Sequence, residues 1–97
     1  MLFAIRFFDK PNALETRAAN MSAHLEWLAL HSDVILVGGS LREHEEAPPK
    51  GALWIAQCGD RKILDALIRT DPFWIAGLRN TYEIFSWHKA FSKLVSI

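Results

Sequence analysis

The feature that most constrains the fold of this chain is a set of short segments that are apolar on both faces of a β-strand. In residues 2–8, Phe3, Ile5 and Phe7 point to one side of an extended chain, and largely apolar residues alternate with them on the other. Three further segments of this kind are predicted as strands, at residues 34–37, 52–58 and 82–88. A sheet made from such strands needs cover on both faces, because a large bare apolar face promotes association.

Two main helices separate the predicted strands. The first spans residues 13–31, and five of its apolar residues recur at the spacing of one buried stripe: Leu14, Ala18, Met21, Leu25 and Leu28. The second follows a predicted N-cap at Asp60, and four residues are expected on its inner face: Ile63, Leu64, Leu67 and Ile68. Pro72 starts a further short helix, because the residue before a proline avoids the helical conformation. Gly38-Gly39, after the second strand, indicates a bend or a close approach of the backbone.

The resulting order is β-α-β-β-α-β, which predicts an α+β domain with the ferredoxin-like fold and a four-stranded antiparallel sheet. A length of 97 residues corresponds to a single domain, over residues 1–97. Two helices can cover only one face of the sheet. Because 51% of the residues are hydrophobic, the economical cover for the other face is the same face of a second subunit. We therefore expect a homodimer, closed through the sheet faces into a dimeric α+β barrel.

Composition narrows the partners and the compartment. Lys and Arg total 11, and Asp and Glu total 11, so the charge favours neither nucleic acid nor an anionic membrane as a partner. No apolar run approaches the roughly 20 residues of a membrane-spanning helix, and the N-terminal segment lacks the features of a signal peptide. The one cysteine, Cys58, cannot form an internal disulfide, which is typical of a reducing compartment. We expect a cytoplasmic protein that binds a small molecule.

No metal or cofactor is predicted. The most suggestive cluster, His44-Glu45-Glu46 together with His24 or His31, matches no closed zinc-ligand spacing. The sequence contains no glycine loop for a phosphate, no nucleophile elbow and no dinucleotide fingerprint. Any reaction is therefore expected to proceed without a cofactor.

Three parts of the chain resemble, in order and spacing, the pattern of the YCII-related family. They are the aromatic strand Leu2–Phe8 with its Asp-Lys-Pro turn, the helical motif Arg17-x6-His24-Leu25-x2-Leu28, and the segment Asp71-Pro72-Phe73-x2-Ala76-Gly77-Leu78. The chain departs from the pattern at Gly38-Gly39-Ser40, where many relatives carry Ala-Gly-Pro, and in the short acidic loop that follows. The resemblance implies a ferredoxin-like fold, a homodimer and a functional pair of His24 with Asp71. It also implies a small substrate, since a few relatives act on aromatic or lactone-like metabolites, one by dehydrochlorination of a chlorinated hydroxyquinol.

His24 is the candidate acid–base residue. Arg17, His24 and His31 are spaced by seven residues, nearly two turns, so they line one side of the first helix at the edge of the apolar stripe. Imidazole is the natural proton-transfer group near neutral pH. The alternative is an ordinary boundary histidine that contacts no ligand.

Three more residues are candidates, and two of them have a stated structural alternative. Asp71 would orient the imidazole and stabilise its charged form, or it would only cap the helix that begins at Pro72. Arg17 would bind a carboxylate or phenolate of a substrate, or it would form a solvated surface or a salt bridge. His88, beside Trp87 on the last strand, would face a cavity of the dimer and contact the substrate.

Three functional classes remain open at this point. The first is a small enzyme that performs proton abstraction, elimination or isomerisation on an organic metabolite, with His24 and Asp71 as its catalytic residues. The second is a non-catalytic homodimer that binds a small ligand or supports a partner enzyme. The third is a cofactor-free monooxygenase of the wider dimeric α+β barrel group.

Overall fold

The computed structural model describes residues 1–97 and contains four strands and three helices. In chain order they are β1 (Leu2–Asp9), α1 (Leu14–Leu30), β2 (Ile35–Leu41), β3 (Gly51–Gln57), α2 (Arg61–Ile68), α3 (Pro72–Ile75) and β4 (Arg79–Trp87). Because α3 is only one turn long, the order of the main elements is β-α-β-β-α-β. None of the three helices combines the length and the hydrophobicity that a membrane span requires.

The sheet has the strand order β2-β3-β1-β4, and all neighbouring strands are antiparallel. The two central strands are therefore β1 and β3, and the edges are β2 and β4. In the middle of the sheet, Ile5 lies opposite Trp54 on one side and opposite Ile84 on the other. The predicted ferredoxin-like α+β fold with a four-stranded antiparallel sheet is confirmed.

One face of the sheet packs against the helices and forms the core. Phe3, Ile5 and Phe7 of β1 point to this face and are almost fully buried. The other members of the core are Trp27, Ile35, Ala52, Trp54, Ala56, Leu64 and Ile68. Burial of a large apolar side chain contributes about 1.5–3 kcal/mol, so this cluster is the main source of stability.

The opposite face of the sheet, which we call the open face, carries no helix. Ala4 of β1 lies between Ile55 of β3 and Phe85 of β4 on this side. Several large apolar residues of the strands remain 40–50% exposed: Leu36, Val37, Leu53, Phe85 and Trp87. The sheet is therefore apolar on both faces, as the strand pattern predicts.

The buried side of α1 differs from the predicted stripe. Its buried residues are Arg17, His24 and Trp27, whereas Leu14 and Leu25 are more than half exposed. At 100° per residue, the centre of the buried line is turned by roughly 90° from the predicted stripe. That stripe, and the placement of His24 at its edge, are wrong because residues on neighbouring elements accept hydrogen bonds from the buried side.

Two other local expectations need correction. Strand β2 continues through Gly38, so the predicted bend is wrong; the alternative of a close backbone approach is confirmed, because a Cβ at Gly38 would lie 2.8 Å from Cδ1 of Trp54. In α2, Leu64 and Ile68 are buried, but Ile63 is 59% exposed. Ile63 projects about 100° away from Leu64 and misses the sheet.

Candidate active site

His24 and Asp71 form a buried pair at the centre of the candidate site. The Nδ1 atom of His24, on α1, lies 2.8 Å from Oδ1 of Asp71, at the start of α3. Only 7% and 1% of the two side chains are exposed. Because an ionised carboxylate can only accept a hydrogen bond, Nδ1 carries the proton and donates it. In the neutral ring, Nε2 is then the nitrogen that can accept a proton, and it makes no hydrogen bond to the protein.

The start of α3 positions the carboxylate. Asp71 is extended (φ −65°, ψ 130°) and its Oδ1 also accepts a hydrogen bond from the backbone N–H of Phe73, at 3.0 Å. Pro72 occupies the first turn, where its missing N–H leaves no bond unmade. One oxygen of Asp71 therefore both caps α3 and contacts His24, so the two roles considered for Asp71 are compatible.

The plane of the imidazole is fixed by aromatic stacking. The ring of Phe73 is parallel to that of His24, with centroids 3.9 Å apart and an interplanar angle of 13°. The indole of Trp54 lies farther away, with its centroid at 6.2 Å. Since Phe73 belongs to the same turn that Asp71 caps, one short segment holds both the ring plane and the Nδ1 partner.

Next to this pair, two arginines share one carboxylate. Asp9, the last residue of β1, accepts a hydrogen bond from Arg17 Nη2 at 2.6 Å and from Arg79 Nη1 at 2.7 Å. All three residues are largely buried, and both guanidinium groups lie near the Phe73 ring, at 5.4 Å and 5.2 Å from its centroid. Burial lowers the pKa of Arg79, while its hydrogen bond to Asp9 acts in the opposite direction. One negative charge therefore balances two positive charges.

The arginines are not fully satisfied by the protein. The Nε atoms of Arg17 and Arg79 are buried and have no hydrogen-bond partner. Buried polar groups in native proteins are nearly always hydrogen-bonded, so two orphaned donors in one place require an explanation. They are the only buried side-chain nitrogen or oxygen atoms of the chain in this condition.

His24 and the two arginines line one cavity, with a volume of ≈ 230 Å³. His24, Arg17 and Arg79 contribute polar atoms to its wall, and Arg42 lies in the wall with its guanidinium bonded to Ala47 O at 2.8 Å. The remaining wall is largely apolar and includes Met21, Leu25, Leu28, Trp54 and Phe73. Typical pockets for drug-sized ligands have volumes of about 300–1,000 Å³, so this cavity suits a smaller molecule.

The sequence matches the family described as the YCII-related domain over residues 1–88. The chain belongs to the YCII-related family. A comparison with curated proteins finds no match for this family member.

Solved structures resemble this YCII-related chain over most of its length. The 5-chloro-2-hydroxyhydroquinone dehydrochlorinase TftG of Burkholderia phenoliruptrix, in complex with 2,5-dihydroxybenzoquinone, is 28% identical with a TM-score of 0.82, and 91% of this chain and 94% of TftG are covered. A candidate antibiotic biosynthesis monooxygenase of Bacteroides thetaiotaomicron is 19% identical, with a TM-score of 0.61 and coverage of 100% and 95%. SnoaB, a cofactor-independent oxygenase of Streptomyces nogalater, is 14% identical, with a TM-score of 0.52 and coverage of 95% and 96%. The last two similarities are of fold alone.

The structure brings three of the four candidate residues together. His24 and Arg17 line the cavity, and Asp71 lies directly behind His24. His88 is not part of this group: it follows the end of β4, is exposed, and borders a separate cavity of ≈ 340 Å³ beside Met1 and Trp87.

Arg79 is the functional candidate that the sequence reasoning missed. The sequence pattern predicts a last strand that begins at residue 82, which would leave Arg79 in a loop. In the structure β4 begins at Arg79, and this residue lies directly across from Asp9. The signal in the sequence is the opposite charge of Asp9 and Arg79, which lie at paired ends of neighbouring strands. This pair can be recognised only when the register of the two strands is known.

No three His, Cys, Asp or Glu side chains come together as possible metal ligands in the structure, and His44 is exposed in the loop after β2.

Proposed function

We propose that this protein is a small-molecule enzyme that uses His24 and Asp71 for general acid–base catalysis, without a cofactor. The observation that carries the proposal is the buried hydrogen bond from His24 Nδ1 to Asp71, which leaves Nε2 unpaired beside a cavity. The reaction class is elimination, isomerisation or another lyase-type step on a small organic metabolite. Arg17 is the proposed substrate-binding residue.

The proposed mechanism follows from the geometry of the pair. Nε2 accepts a proton from the bound substrate, and the resulting imidazolium is stabilised by the Asp71 carboxylate on the other side of the ring. The same nitrogen then returns the proton to the product or leaving group. Stacking on Phe73 and the bond to Asp71 hold the ring in place, so little reorganisation accompanies proton transfer.

The similarity to TftG supports elimination as the first reaction to test. TftG is named as a dehydrochlorinase, and loss of HCl requires a base for the proton and a route for chloride to leave with its bonding electrons. In the proposed site His24 takes the proton, and the neighbouring guanidinium groups stabilise the negative charge that develops. The 28% identity and the shared family make this chemistry a reasonable starting point for this chain.

The test measures chloride release from 5-chloro-2-hydroxyhydroquinone and binding of 2,5-dihydroxybenzoquinone. Proton transfer by a positioned side chain supplies about 10²–10⁴-fold, so His24→Asn is expected to reduce turnover by that order. Asp71→Asn is expected to reduce it less, because it alters orientation and charge stabilisation but keeps the proton carrier and a capping oxygen. His31→Asn is the matched control, since His31 lies on the same helix side but outside the cavity.

His24→Asn is preferred to His24→Ala because His24 is buried. At the edge of a stripe, as the sequence predicts, removal of the ring would change stability little. In the structure His24→Ala would open a cavity under Phe73 and leave the Asp71 carboxylate without its donor. Unchanged turnover by a folded His24→Asn protein would refute the acid–base role. Binding without turnover by the parent protein would favour the non-catalytic ligand-binding function.

We also propose that two copies associate through the open face, because that face exposes large apolar residues such as Leu53 and Phe85. Light scattering should give twice the chain mass of 11.0 kDa at micromolar concentration. Phe85→Lys is expected to produce monomers, whereas Leu30→Lys, on the outer side of α1, is not. A parent protein that remains monomeric would contradict this assembly.

Two further expectations belong to this proposal. His88 would contact substrate only through assembly, since it is exposed beside Trp87, a residue of the open face. A cytoplasmic location is supported by the single free cysteine, Cys58. A disulfide-linked dimer isolated under non-reducing conditions would argue against that location.

A further inference from the structure

We propose that the cavity binds its substrate as an anion, with a carboxylate or phenolate oxygen held by Arg17, Arg79 and the indole N–H of Trp54. The inference rests on the proposed function for the site, and it extends the carboxylate or phenolate contact expected of Arg17 to a site that includes two further residues, Arg79 and Trp54. The ligand would be an organic anion of about one ring in size. Charge, unsatisfied donors and the cavity volume each support it.

The charge balance around the cavity is positive. Three guanidinium groups, on Arg17, Arg42 and Arg79, face two carboxylates, Asp9 and Asp71. Asp9 is shared by two of the arginines, and Asp71 is already bonded to His24 and to the α3 backbone. Arg42 bonds only to neutral groups, Ser40 Oγ and Ala47 O. An anionic ligand would supply the missing negative charge.

The unsatisfied donors indicate the same class. Each of Arg17 and Arg79 uses one Nη atom on Asp9, has a buried Nε without a partner, and makes no other hydrogen bond. The second Nη atom of each guanidinium makes no hydrogen bond and, unlike Nε, is not fully buried, so it is the atom that can donate to a carboxylate or phenolate oxygen. Both residues are less than one-tenth exposed, so water in bulk does not satisfy these groups.

Trp54 adds a neutral donor to the wall. Its Nε1–H donates to no protein group, and it is not one of the fully buried unsatisfied atoms, so in a residue that lines the cavity it is available to a ligand. Gly38 keeps this edge of the indole free, because a Cβ at position 38 would lie 3.2 Å from Nε1. The side-chain nitrogens of the wall are thus mainly donors, and Nε2 of His24 is the one that can accept a proton. This asymmetry selects a ligand rich in acceptors.

The volume of the cavity limits the ligand to a small molecule. Its volume of ≈ 230 Å³ is bounded by apolar side chains on the α1 side and by the Phe73 ring near the arginines. A single substituted ring can place its apolar part against Met21 and Leu28 while its anionic oxygen reaches the arginines. That position brings the ring close to His24, where proton transfer is proposed.

The test compares benzoate with benzamide, which have the same shape but differ in charge. Hydrogen bonds to charged groups typically contribute enough for about a 10- to 100-fold difference, so calorimetry should show benzoate binding tighter by that factor. Arg79→Met should abolish the preference. Arg69→Met is the matched control: Arg69 also pairs with an aspartate and lies over a tryptophan, but it is exposed on the outer side, away from the cavity. Equal binding of benzoate and benzamide, or a preference that survives in Arg79→Met, would overturn the proposal.

A second measurement keeps the proposal testable if Arg79→Met does not fold. In the parent protein, the indole N–H resonance of Trp54, identified with Trp54→Phe, should shift on addition of benzoate and not of benzamide. No shift with saturating benzoate would remove Trp54 from the site. Repeating the calorimetry in His24→Asn separates the two proposals: a retained preference for benzoate supports the anion site even if no turnover is found. Turnover in a parent protein without that preference would refute the anion site alone.

Discussion

The two main helices pack on the same face of the sheet, yet their buried sides are built from different kinds of residues. In α2 the buried residues are Leu64 and Ile68, and the charged residues face outwards. In α1 the buried residues are Arg17, His24 and Trp27, while Leu14, Leu25 and Leu30 are exposed. The apolar helix contributes to the core, and the polar helix forms a wall of the cavity.

The difference shows where function is located in this small domain. A buried polar side chain must find a partner or it destabilises the fold, so each polar residue under α1 has a specific acceptor. Arg17 bonds to Asp9, His24 to Asp71, and Trp27 Nε1 to Thr70 Oγ1 at 3.0 Å. Burying these polar groups has a desolvation cost that an apolar helix face would not have. Their position beside a cavity therefore favours a catalytic role over a packing role.

The largest expected loss of stability on the α1 side comes from mutation of Asp9, the carboxylate that Arg17 of α1 shares with Arg79. Asp9→Asn removes the charge of the carboxylate to which Arg17 and Arg79 both donate hydrogen bonds. Removing one partner of a buried ion pair typically destabilises by about 3–5 kcal/mol, and urea unfolding should show a loss of that size. Glu43→Gln is the control, since the Glu43–Lys50 pair is exposed and should leave the midpoint unchanged. Equal unfolding midpoints for the two variants would mean that the buried ion pairs of Asp9 stabilise the fold no more than the exposed Glu43–Lys50 pair does.

The next effect contrasts a leucine under α2 with a leucine on α1. Leu64 is fully buried, so Leu64→Ala is expected to cost about 2–5 kcal/mol of unfolding free energy. Leu25 is 55% exposed and Leu25→Ala should change stability by about 0.5 kcal/mol or less. Thermal and urea denaturation measure both. A large loss of unfolding free energy in Leu25→Ala would indicate that the leucine stripe predicted from the sequence is buried after all. In an oligomer, the measurement is repeated at several concentrations to separate folding from association.

The smallest effect concerns the outer polar contact of α2. Burial, followed by its hydrogen bond to Asp65, raises the pKa of Tyr82 to about 12 from a usual value of 10.0. Because the folded pKa is the higher one, the unfolded chain loses this proton first. The stability that Tyr82 contributes is complete below pH 10 and is lost as pH rises towards about 12. Tyr82 is the only tyrosine, so phenolate absorbance reports it directly, and Tyr82→Phe should show a flatter stability profile over that range. A phenolate transition near the usual value in the folded protein would contradict this contact.

Much of the fold could be predicted because it depends on local patterns. Residues of β1 alternate between two sides, and Pro72 and Asp60 mark helix starts, so the order of elements follows from the chain itself. The strand order β2-β3-β1-β4 is an observation of the structure, within the ferredoxin-like arrangement that the order of elements predicts. Local patterns failed where pairing decided the outcome. Gly38 stays in strand because β3 pairs with it, and β4 extends to Arg79 because β1 continues to Asp9.

By itself the sequence determined the class of fold, the apolar character of both sheet faces, and His24, Asp71 and Arg17 as candidates. Periodicity is a property of the chain alone and is enough for the fold class and the apolar faces, whereas the pairing of His24 with Asp71 came from the resemblance of their motifs to the YCII-related family. Only the tertiary structure decided that α1 buries its polar side, that Arg79 joins Arg17 on Asp9, and that His88 lies elsewhere. These facts depend on contacts such as that between residues 24 and 71, which are distant in sequence. A buried polar residue is stabilised by its partner, and the partner is known only once the chain has folded.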